Sequence, residues 1–435
     1  MLTGLKPRTL LLDSFHAAVA AADPARVVPP HLPEPPRGRT LVVGGGKAAA
    51  SMAAAVEAHW PAGAPLAGLV VTRYQHSLPT QRIEVVEASH PLPDGRGETA
   101  ALRMLAMAAQ LGEDDLLLAL ISGGGSSLLA APVDGITLKE LRQVTRALLH
   151  AGAGIHDINT VRKHLTRLSG GRLAQAAQNA RGLALIISDV VGDDPTHIAS
   201  GPCAPDPTTC VDALDRLAHF GIPLPVGVQH YLDACAAAGA LRGGAAAGGR
   251  ADTPKPGDRC FARKENRIIA SAHDSLDAAC RVFEQHGIRA LVLSARISGD
   301  AQAVAQQHAA LARACRSSQP LALISGGETT VSLSPQHGRG GRNSEYLLAL
   351  ALAMQGLAVW GIACDTDGID GSEDNAGALM SPDTLMRAQA QGVNAEAHLA
   401  AHDSYGFFSR LGDLVQTGPT RTNVNDYRAL LIGLN

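Results

Sequence analysis

Short, continuously apolar runs that alternate with segments of helical periodicity constrain the fold of this chain most. The run Leu116 to Ile121 reads Leu-Leu-Leu-Ala-Leu-Ile, and comparable runs lie at Thr40 to Val43, Gly68 to Thr72 and Leu183 to Ser188. A strand can be apolar on both sides only when both faces of its sheet are covered, as in a parallel sheet flanked by helices. The pattern therefore predicts an α/β fold with a mostly parallel sheet.

The length of 435 residues is sufficient for two domains. The segment Gly239 to Asp258 is rich in glycine and proline and lacks periodicity, and the strand and helix alternation resumes after it. We therefore expect a larger domain over residues 1–245 and a smaller α/β domain over residues 246–435. The strand-like run Arg267 to Ala270 and the helix after it are compatible with either domain.

Charge and cysteine content exclude several classes of protein. Lys and Arg total 37 against 40 Asp and Glu, a net charge of −3, so neither nucleic acid nor an anionic membrane is expected as a partner. No apolar run approaches the ~20 residues that span a bilayer, and the N-terminal segment is unlike a signal peptide. The 7 cysteines are scattered without a C-x-x-C pair. We expect a cytoplasmic protein without a disulfide framework or structural zinc.

Glycine clusters recur where the predicted strands end. Such loops can hold an anion, because several backbone amides converge where no Cβ intervenes, although each cluster could equally form a tight turn between strand and helix. Four clusters together favour a polyphosphate site at the carboxyl ends of the strands. The candidate binding residues are Gly44, Gly45 and Gly46; Ser122, Gly123, Gly124, Gly125 and Ser126; Gly326, Gly327 and Glu328; and the segment Gly338 to Arg342.

Lys47 follows the first cluster directly and gives it a more specific meaning. Gly44-x-Gly46-x-x-Ala49 also fits a dinucleotide fingerprint, but Thr72-Arg73 stands where that fingerprint expects an acidic residue. As a dinucleotide-binding site, this segment is therefore compatible only with NADP. A lysine after three glycines suits phosphoryl transfer better, because its ammonium group can follow charge that moves between two phosphates.

Phosphoryl transfer also needs further cations and a metal held by carboxylates. Arg339 and Arg342 lie in a glycine-rich segment that opens an apolar helix, which makes both of them candidates for contact with phosphate. Asp189, and after it Asp193, follow the predicted strand Leu183 to Ser188 and are candidate ligands of Mg²⁺, although both could instead form turns.

Other motifs argue against rival chemistries. The spacing of Asp365, Asp367 and Asp370 does not match a calcium loop, so we expect a strand-end loop or simple Asx turns there. Ser126 lacks the G-x-S-x-G context of a nucleophilic serine.

The loop residues His90 and His197 are candidates for positioning a hydroxy acid.

Taken together, these segments resemble the glycerate 2-kinases of the MOFRL type, some of which carry the older label hydroxypyruvate reductase. The resemblance covers nearly the whole chain. It rests on Val43 to Ala49, Ile121 to Leu128, Asn159 to Ala174, Ser188 to Pro202, Ser325 to Val331, Gly338 to Glu345, Asp365 to Asp370 and Thr417 to Asp426.

The resemblance implies a Rossmann-like larger domain, a C-terminal α/β domain with the MOFRL region at about residues 318–430, and a cleft between them for ATP and D-glycerate. It places the active-site lysine on Lys47 and a second-domain arginine on Arg342 or Arg339. Two departures are visible: Ser344 stands where relatives have Gln, and Arg421 where they have Gly.

The sequence therefore predicts ATP-dependent phosphorylation of D-glycerate at the interdomain cleft, giving 2-phosphoglycerate. Lys47, Arg342 and Asp189 are the predicted catalytic residues, ATP and Mg²⁺ the predicted cofactors, and a homodimer the candidate assembly. Two alternatives stay open at this point. One is an NAD(P)H-dependent hydroxypyruvate reductase, and the other is a non-catalytic protein that binds a phosphorylated metabolite.

Overall fold

The computed structural model describes residues 6–240, 252–315, 319–332 and 337–433. The chain forms two compact units, Val27–Ile269 and the combination of Met1–Arg26 with Ala270–Asn435. We call them the parallel-sheet unit and the mixed-sheet unit. The boundary predicted between residues 245 and 246 lies outside the described residues, whereas the units divide after Arg26 and after Ile269.

The helices and strands have the following bounds. The helices are α1 (Pro7–Ala21), α2 (Pro24–Val27), α3 (Ala49–His59), α4 (Gly95–Ala108), α5 (Gly125–Leu128), α6 (Leu138–His150), α7 (Ile155–Leu165), α8 (Arg172–Ala176), α9 (Cys210–His219), α10 (Val226–Ala240), α11 (Ala272–Gln285), α12 (Ala301–Ala314), α13 (Arg342–Ala353), α14 (Thr384–Ala390), α15 (Ala395–Ala400) and α16 (Ser404–Leu411). The strands are β1 (Thr40–Gly45), β2 (Leu66–Arg73), β3 (Ile83–Ala88), β4 (Leu116–Ile121), β5 (Arg181–Ile187), β6 (Lys264–Ala270), β7 (Arg289–Asp300), β8 (Leu321–Thr330), β9 (Val359–Asp365), β10 (Gly377–Met380), β11 (Leu414–Val415) and β12 (Asp426–Ile432).

The parallel-sheet unit contains a six-stranded sheet in the order β3-β2-β1-β4-β5-β6. The first five strands pair in parallel, and every residue of β1 and β4 is buried. Helices cover this sheet, which explains why its strands are apolar throughout. The predicted α/β fold with a mostly parallel sheet is confirmed.

The strand order of this sheet reverses between β1 and β4. From β1 the chain adds β2 and β3 on one side, and it then returns to add β4 and β5 on the other. Open α/β sheets bind ligands at the carboxyl ends of the strands where the order reverses in this way. The turn after β1 and the loop after β4 both begin at that point.

The mixed-sheet unit contains a second six-stranded sheet, in the order β11-β10-β9-β12-β8-β7. Only β7 and β8 pair in parallel there, whereas β12 runs antiparallel to both β8 and β9. All seven residues of β12 are buried, so the last described strand forms the centre of this sheet.

Helix α1 belongs to the mixed-sheet unit although it lies near the start of the chain. Its Ala18 carbonyl accepts a hydrogen bond from the Ser275 hydroxyl of α11 at 2.7 Å, and Ser14 accepts one from the hydroxyl of Tyr427 at 2.8 Å. Strand β6 lies beside β5, whereas α11 packs in the other unit. The run after residue 264 is therefore divided between the units, which the sequence left open.

A disulfide joins Cys210 of α9 to Cys235 of α10, whereas the sequence predicted a protein without a disulfide framework. Both residues are buried where the two helices pack together. Their separation of 25 residues hides that proximity in the sequence. No helix in the described part of the chain is long and apolar enough to cross a membrane.

Candidate active site

Lys47 lies in the turn between β1 and α3, with a partly exposed side chain. The amides of this turn donate within the protein: Gly46 to the Val71 carbonyl at 3.1 Å, Lys47 to the Gly123 carbonyl at 2.8 Å, Ala48 to Ser122 Oγ at 3.0 Å and Ala49 to the Gly46 carbonyl at 3.1 Å. The predicted amide cradle is therefore not open at this turn.

The glycines of the turn allow β1 and the loop after β4 to approach each other. A Cβ on Gly44 would lie 1.9 Å from the Leu120 carbonyl oxygen, and one on Gly46 would lie 2.1 Å from Ser122 Oγ. Such separations are far below contact distance, so only glycine fits. The function of Gly44 and Gly46 in this structure is close packing that fixes the base of Lys47.

The loop after β4 offers what the first turn does not. The amides of Gly123 and Gly124 donate to no protein acceptor among the described hydrogen bonds, and Gly124 has a left-handed φ of 81°. A Cβ on Gly124 would lie 3.5 Å from Lys47 Cγ and 2.9 Å from His90 Cδ2. Lys47 and His90 thus both lie beside Gly124, on the loop that carries the two free amides, an arrangement suited to an anion.

Asp189 and Asp193 lie in the segment that follows β5, at the same edge of the sheet as Lys47. Both are partly exposed, and the Asp193 amide closes a turn on the Val190 carbonyl at 3.1 Å with a φ of 54°. Asp194 caps the next turn by accepting from the Thr196 amide at 2.8 Å. The turn Val190 to Asp193 follows Asp189 directly, so the two predicted metal ligands flank one short turn.

A chain of polar contacts that was not predicted from the sequence lies behind the loop after β4. Ser126 Oγ lies 2.8 Å from Ser200 Oγ, the Ser200 hydroxyl donates to Asn159 Oδ1 at 3.1 Å, and Asn159 Nδ2 donates to the His197 carbonyl at 3.0 Å. Ser200 adopts a left-handed φ of 60°. The segments Asn159 to Ala174 and Ser188 to Pro202 contained the only sequence signal for Asn159 and Ser200.

In the mixed-sheet unit, three carboxylates surround Arg342. Its Nε, Nη1 and Nη2 each lie 2.8 Å from an oxygen of Asp426, Glu328 and Asp365, respectively. Burial lowers the pKa of the guanidinium, but the carboxylates outweigh this and hold it well above its usual value. The prediction placed Arg342 against phosphate, whereas here all three of its nitrogens are paired with acids.

The helix that begins at Arg342 follows a glycine cluster that was predicted to hold phosphate. Instead, Asp370 accepts hydrogen bonds from the amides of Asn343 and Ser344 at 2.9 and 2.8 Å. Asp370 is completely buried, and burial raises the pKa of its carboxyl group. The glycine cluster before α13 accommodates this carboxylate, since a Cβ on Gly341 would lie 2.3 Å from its Oδ1.

Arg339 differs from Arg342 in its surroundings. It pairs with Glu373, its guanidinium carbon lies 4.2 Å from the ring centroid of Tyr405, and its side chain is 63% exposed. Arg339 is therefore the more accessible of the two predicted arginines.

Gly326 and Gly327 do not form a loop at a strand end, so this part of the prediction was wrong. They lie inside β8, paired with Tyr427 and Asp426 of β12. A Cβ on Gly327 would lie 2.1 Å from the Ile297 carbonyl oxygen, which explains the glycine by its close contact with β7. Glu328, the third residue of this cluster, forms an ion pair with Arg342.

The acidic segment after β9 forms the Asx turns that we considered for it. Asp365 Oδ1 accepts from the Asp367 amide at 3.0 Å, and Asp367 Oδ1 accepts from the Ile369 amide at 2.8 Å. Arg421, one of the two departures, has a φ of 58°, a conformation that glycine adopts more readily than other residues do. Ser344, the other departure, is buried and donates to Asp370 at 2.6 Å.

A buried charged cluster lies elsewhere in the parallel-sheet unit. His164 Nε2, Cys210 Sγ and an Asp252 oxygen lie within 4.8 Å of one another. However, the sulfur belongs to the disulfide, and Lys255 pairs with Asp252 at 3.3 Å while Lys163 pairs with Asp206 at 3.4 Å. Because the two ammonium groups already balance the two carboxylates, this cluster is a poor site for a cation.

Comparison with known proteins relates both units to described domains. Residues 10–233 match the family described as a domain of unknown function, DUF4147, and residues 321–426 match the MOFRL family. A protein of Agrobacterium vitis with the name "Putative hydroxypyruvate reductase" is 49% identical over 98% of this chain and 94% of its own length.

Relatives that are named as kinases have a lower sequence identity to this chain, and their matches also cover nearly its whole length. The D-glycerate 2-kinase of Thermotoga maritima is 36% identical over 98% of each chain. A crystal structure of glycerate kinase from the same organism superposes with a TM-score of 0.83 at 35% identity, and covers 98% of this chain and 99% of the other.

Proposed function

This chain belongs to the family of glycerate kinases that combine a DUF4147 domain with a MOFRL domain, and we propose that it transfers the terminal phosphoryl group of ATP to D-glycerate. The expected products are 2-phosphoglycerate and ADP. The single observation that carries this proposal is the meeting of Lys47 with the free amides of Gly123 and Gly124.

These groups suit the charge that develops during phosphoryl transfer. The amides would hold phosphate oxygens in place, and the Lys47 ammonium would neutralise the oxygens of the group in transit. Close packing at Gly44 and Gly46 fixes the base of Lys47, so little reorganisation is needed as charge moves. Gly45, Ser122 and Gly125 complete the proposed wall of this phosphate site, and Ser126 lies beside it in the first turn of α5.

The donor set of Asp189 and Asp193 fits Mg²⁺. They flank one short turn, are partly exposed, and offer carboxylate oxygens, which is the ligand type that Mg²⁺ combines with phosphate and water. When bound, the ion would supply further positive charge to the phosphates. Asp189 would hold it or accept the proton of the attacking hydroxyl.

For the arginine of the mixed-sheet unit, the surroundings favour different roles for the two candidates. Arg342 is fully engaged by Asp426, Glu328 and Asp365, so we propose that it positions Glu328 and Asp365. Arg339 keeps an exposed guanidinium and is the better candidate for phosphate contact. Binding of both substrates between the domains, a cytoplasmic location and a homodimer stay predictions from the sequence.

The name of the Agrobacterium relative favours a second candidate, an NAD(P)H-dependent hydroxypyruvate reductase. Two features speak against it. The amides of the fingerprint turn at Gly46, Lys47 and Ala48 are already engaged, which argues against either nucleotide. Strand β2 ends at Arg73 rather than at an acidic residue that could bind a ribose, which argues against NAD and leaves only NADP. A non-catalytic sensor would bind phosphorylated metabolites through the same amides.

One pair of assays separates these candidates. ADP formation that requires D-glycerate, ATP and Mg²⁺ together supports the kinase. Oxidation of NAD(P)H with hydroxypyruvate, without formation of ADP from glycerate, would replace it by the reductase. Thermal stabilisation by phosphorylated metabolites without turnover in either assay would identify a sensor.

A further inference from the structure

The contacts behind Ser126 fix the direction of each hydrogen bond in that chain. The His197 carbonyl can only accept, so the nitrogen of the Asn159 amide must face it and the oxygen of Asn159 must face Ser200. Asn159 is 1% exposed and Ser200 is 0% exposed. A buried amide oxygen needs a donor, and the Ser200 hydroxyl is its donor.

This leaves Ser200 without a proton for Ser126. A serine hydroxyl carries one hydrogen, and that of Ser200 points at Asn159. The 2.8 Å contact between the two serines therefore requires Ser126 to donate. Ser126 is partly exposed in the first turn of α5, directly after Gly123 and Gly124, so a ligand that reaches its oxygen meets only lone pairs.

We propose that Ser126 determines substrate specificity by accepting a hydrogen bond from the non-reacting hydroxyl of the hydroxy acid. This inference rests on the proposed function, in which the 2-hydroxyl of D-glycerate attacks and the 3-hydroxyl does not. Ser126 gives no proton to phosphate or carboxylate oxygens, which are left to Lys47 and the free amides. Ser200 and Asn159 are positioning residues that set this polarity.

The same chain explains why the partner is the hydroxyl that keeps its proton. An attacking hydroxyl must lose its proton to a base. The path from Ser126 through Ser200 ends on the neutral Asn159 amide and a carbonyl, neither of which takes up a proton. The chain can therefore recognise a hydroxyl but cannot deprotonate one.

The backbone holds this arrangement in place. Ala199 and Ser200 have left-handed φ values of 50° and 60°, which cost energy for residues other than glycine. A Cβ on Gly125 would lie 2.6 Å from the Ala199 Cβ, so α5 packs directly against this segment. Ser126 and Ser200 cannot separate without disturbing that contact.

The test compares D-glycerate with D-lactate, which lacks the 3-hydroxyl. Calorimetric titration gives a dissociation constant for each acid. The ratio of the constant for D-lactate to that for D-glycerate reports recognition of the 3-hydroxyl. Ser126→Ala is expected to reduce the preference for D-glycerate by roughly 5-fold to 10-fold, the value of one neutral hydrogen bond. The KM for ATP should stay unchanged, because Ser126 donates nothing to phosphate.

Matched variants separate recognition from structure. Ser127→Ala removes a neighbouring hydroxyl that donates to the Gly124 carbonyl and should keep the wild-type ratio. Ser126→Thr keeps a hydroxyl and should retain most of the preference. Ser200→Ala should lower the ratio as Ser126→Ala does, because Ser126 is then no longer held.

Two outcomes would overturn the inference: an unchanged ratio in Ser126→Ala, or a rise of about 10-fold in its KM for ATP, which would identify Ser126 as a phosphate donor. Failure of the proposed function looks different. In that case the wild-type protein forms no ADP from D-glycerate, whatever the binding ratio is.

Discussion

Arg342 Nε lies 2.8 Å from Oδ1 of Asp426, a carboxylate whose side chain has no exposed surface. Arg428 reaches the other oxygen of the same carboxylate from within the core. Although burial raises the pKa of Asp426, the two arginines hold it below its usual value, so the group is charged. A buried charge of this kind depends on its partners.

Replacement of Arg342 should therefore reduce stability as well as activity. We expect Arg342→Ala to lower the free energy of unfolding by roughly 2 to 4 kcal/mol, because a buried carboxylate loses one of its two cations. Urea denaturation measures this change. Arg339→Ala is the matched control, since its exposed pair with Glu373 should leave the unfolding midpoint unchanged. Equal stability of the two variants would contradict the positioning role of Arg342.

Replacement of Lys47 should lower the turnover rate while the protein still folds. We expect Lys47→Ala to lower kcat by roughly 100-fold or more, because charge aimed at the transition state is worth ~3 kcal/mol. Steady-state release of ADP measures the effect. The exposed Lys139, replaced by Ala, controls for the loss of one positive charge in the same unit. Near-normal turnover of a folded Lys47→Ala protein would remove this residue from the mechanism.

The local pattern predicted the parallel-sheet unit well, because a strand buried on both faces must be apolar throughout. Leu116 to Ile121 became β4 with every residue buried. The same reasoning misassigned Ser325 to Glu328, since a glycine at a turn and a glycine under a crossing backbone look identical in sequence. Gly327 contacts the backbone of Ile297 inside the sheet, a long-range fact that no local window contains.

Long-range pairing also explains the limits at the candidate site. Arg342 and Asp426 are 84 positions apart, and Ser126 and Ser200 are 74 apart. Residue types predicted which side chains could carry charge. That three carboxylates pair with the one guanidinium of Arg342 follows only from the fold. The affiliation of α1 with α11 was invisible for the same reason.

Thiol counting tests the disulfide. Of 7 cysteines, 5 are free among the described residues, so protein purified in air and denatured without reductant should show five reactive thiols and seven after reduction. The bridge spans 25 residues, a loop whose closure is worth about 3 kcal/mol. Reduction should therefore lower the unfolding midpoint of wild type but not of Cys210→Ser. Seven thiols without reductant would refute the pairing.

His308 should make stability depend on pH. Burial, with a smaller effect of Arg428, lowers the pKa of His308 from 6.5 to about 4. The unfolded chain therefore binds this proton first, so stability is full above pH 6.5 and falls as the pH drops towards 4, by on the order of 3 kcal/mol.

Urea denaturation at several pH values checks this dependence. His308→Gln removes the titrating group and should flatten the profile between pH 6.5 and 4. The exposed His286, replaced by Gln, should leave it unchanged. Identical profiles for wild type and His308→Gln would show that the buried imidazole does not titrate in this way.

Phosphorus NMR of the reaction mixture tests the central claim most directly. With D-glycerate, ATP and Mg²⁺, we expect signals of ADP together with a new phosphomonoester signal that is a doublet without proton decoupling. The doublet arises because the phosphate of 2-phosphoglycerate couples to the single proton on C2. A triplet would place the phosphate on C3 and contradict the regiochemistry. No new phosphorus signal, with NAD(P)H consumed by hydroxypyruvate, would contradict the kinase itself.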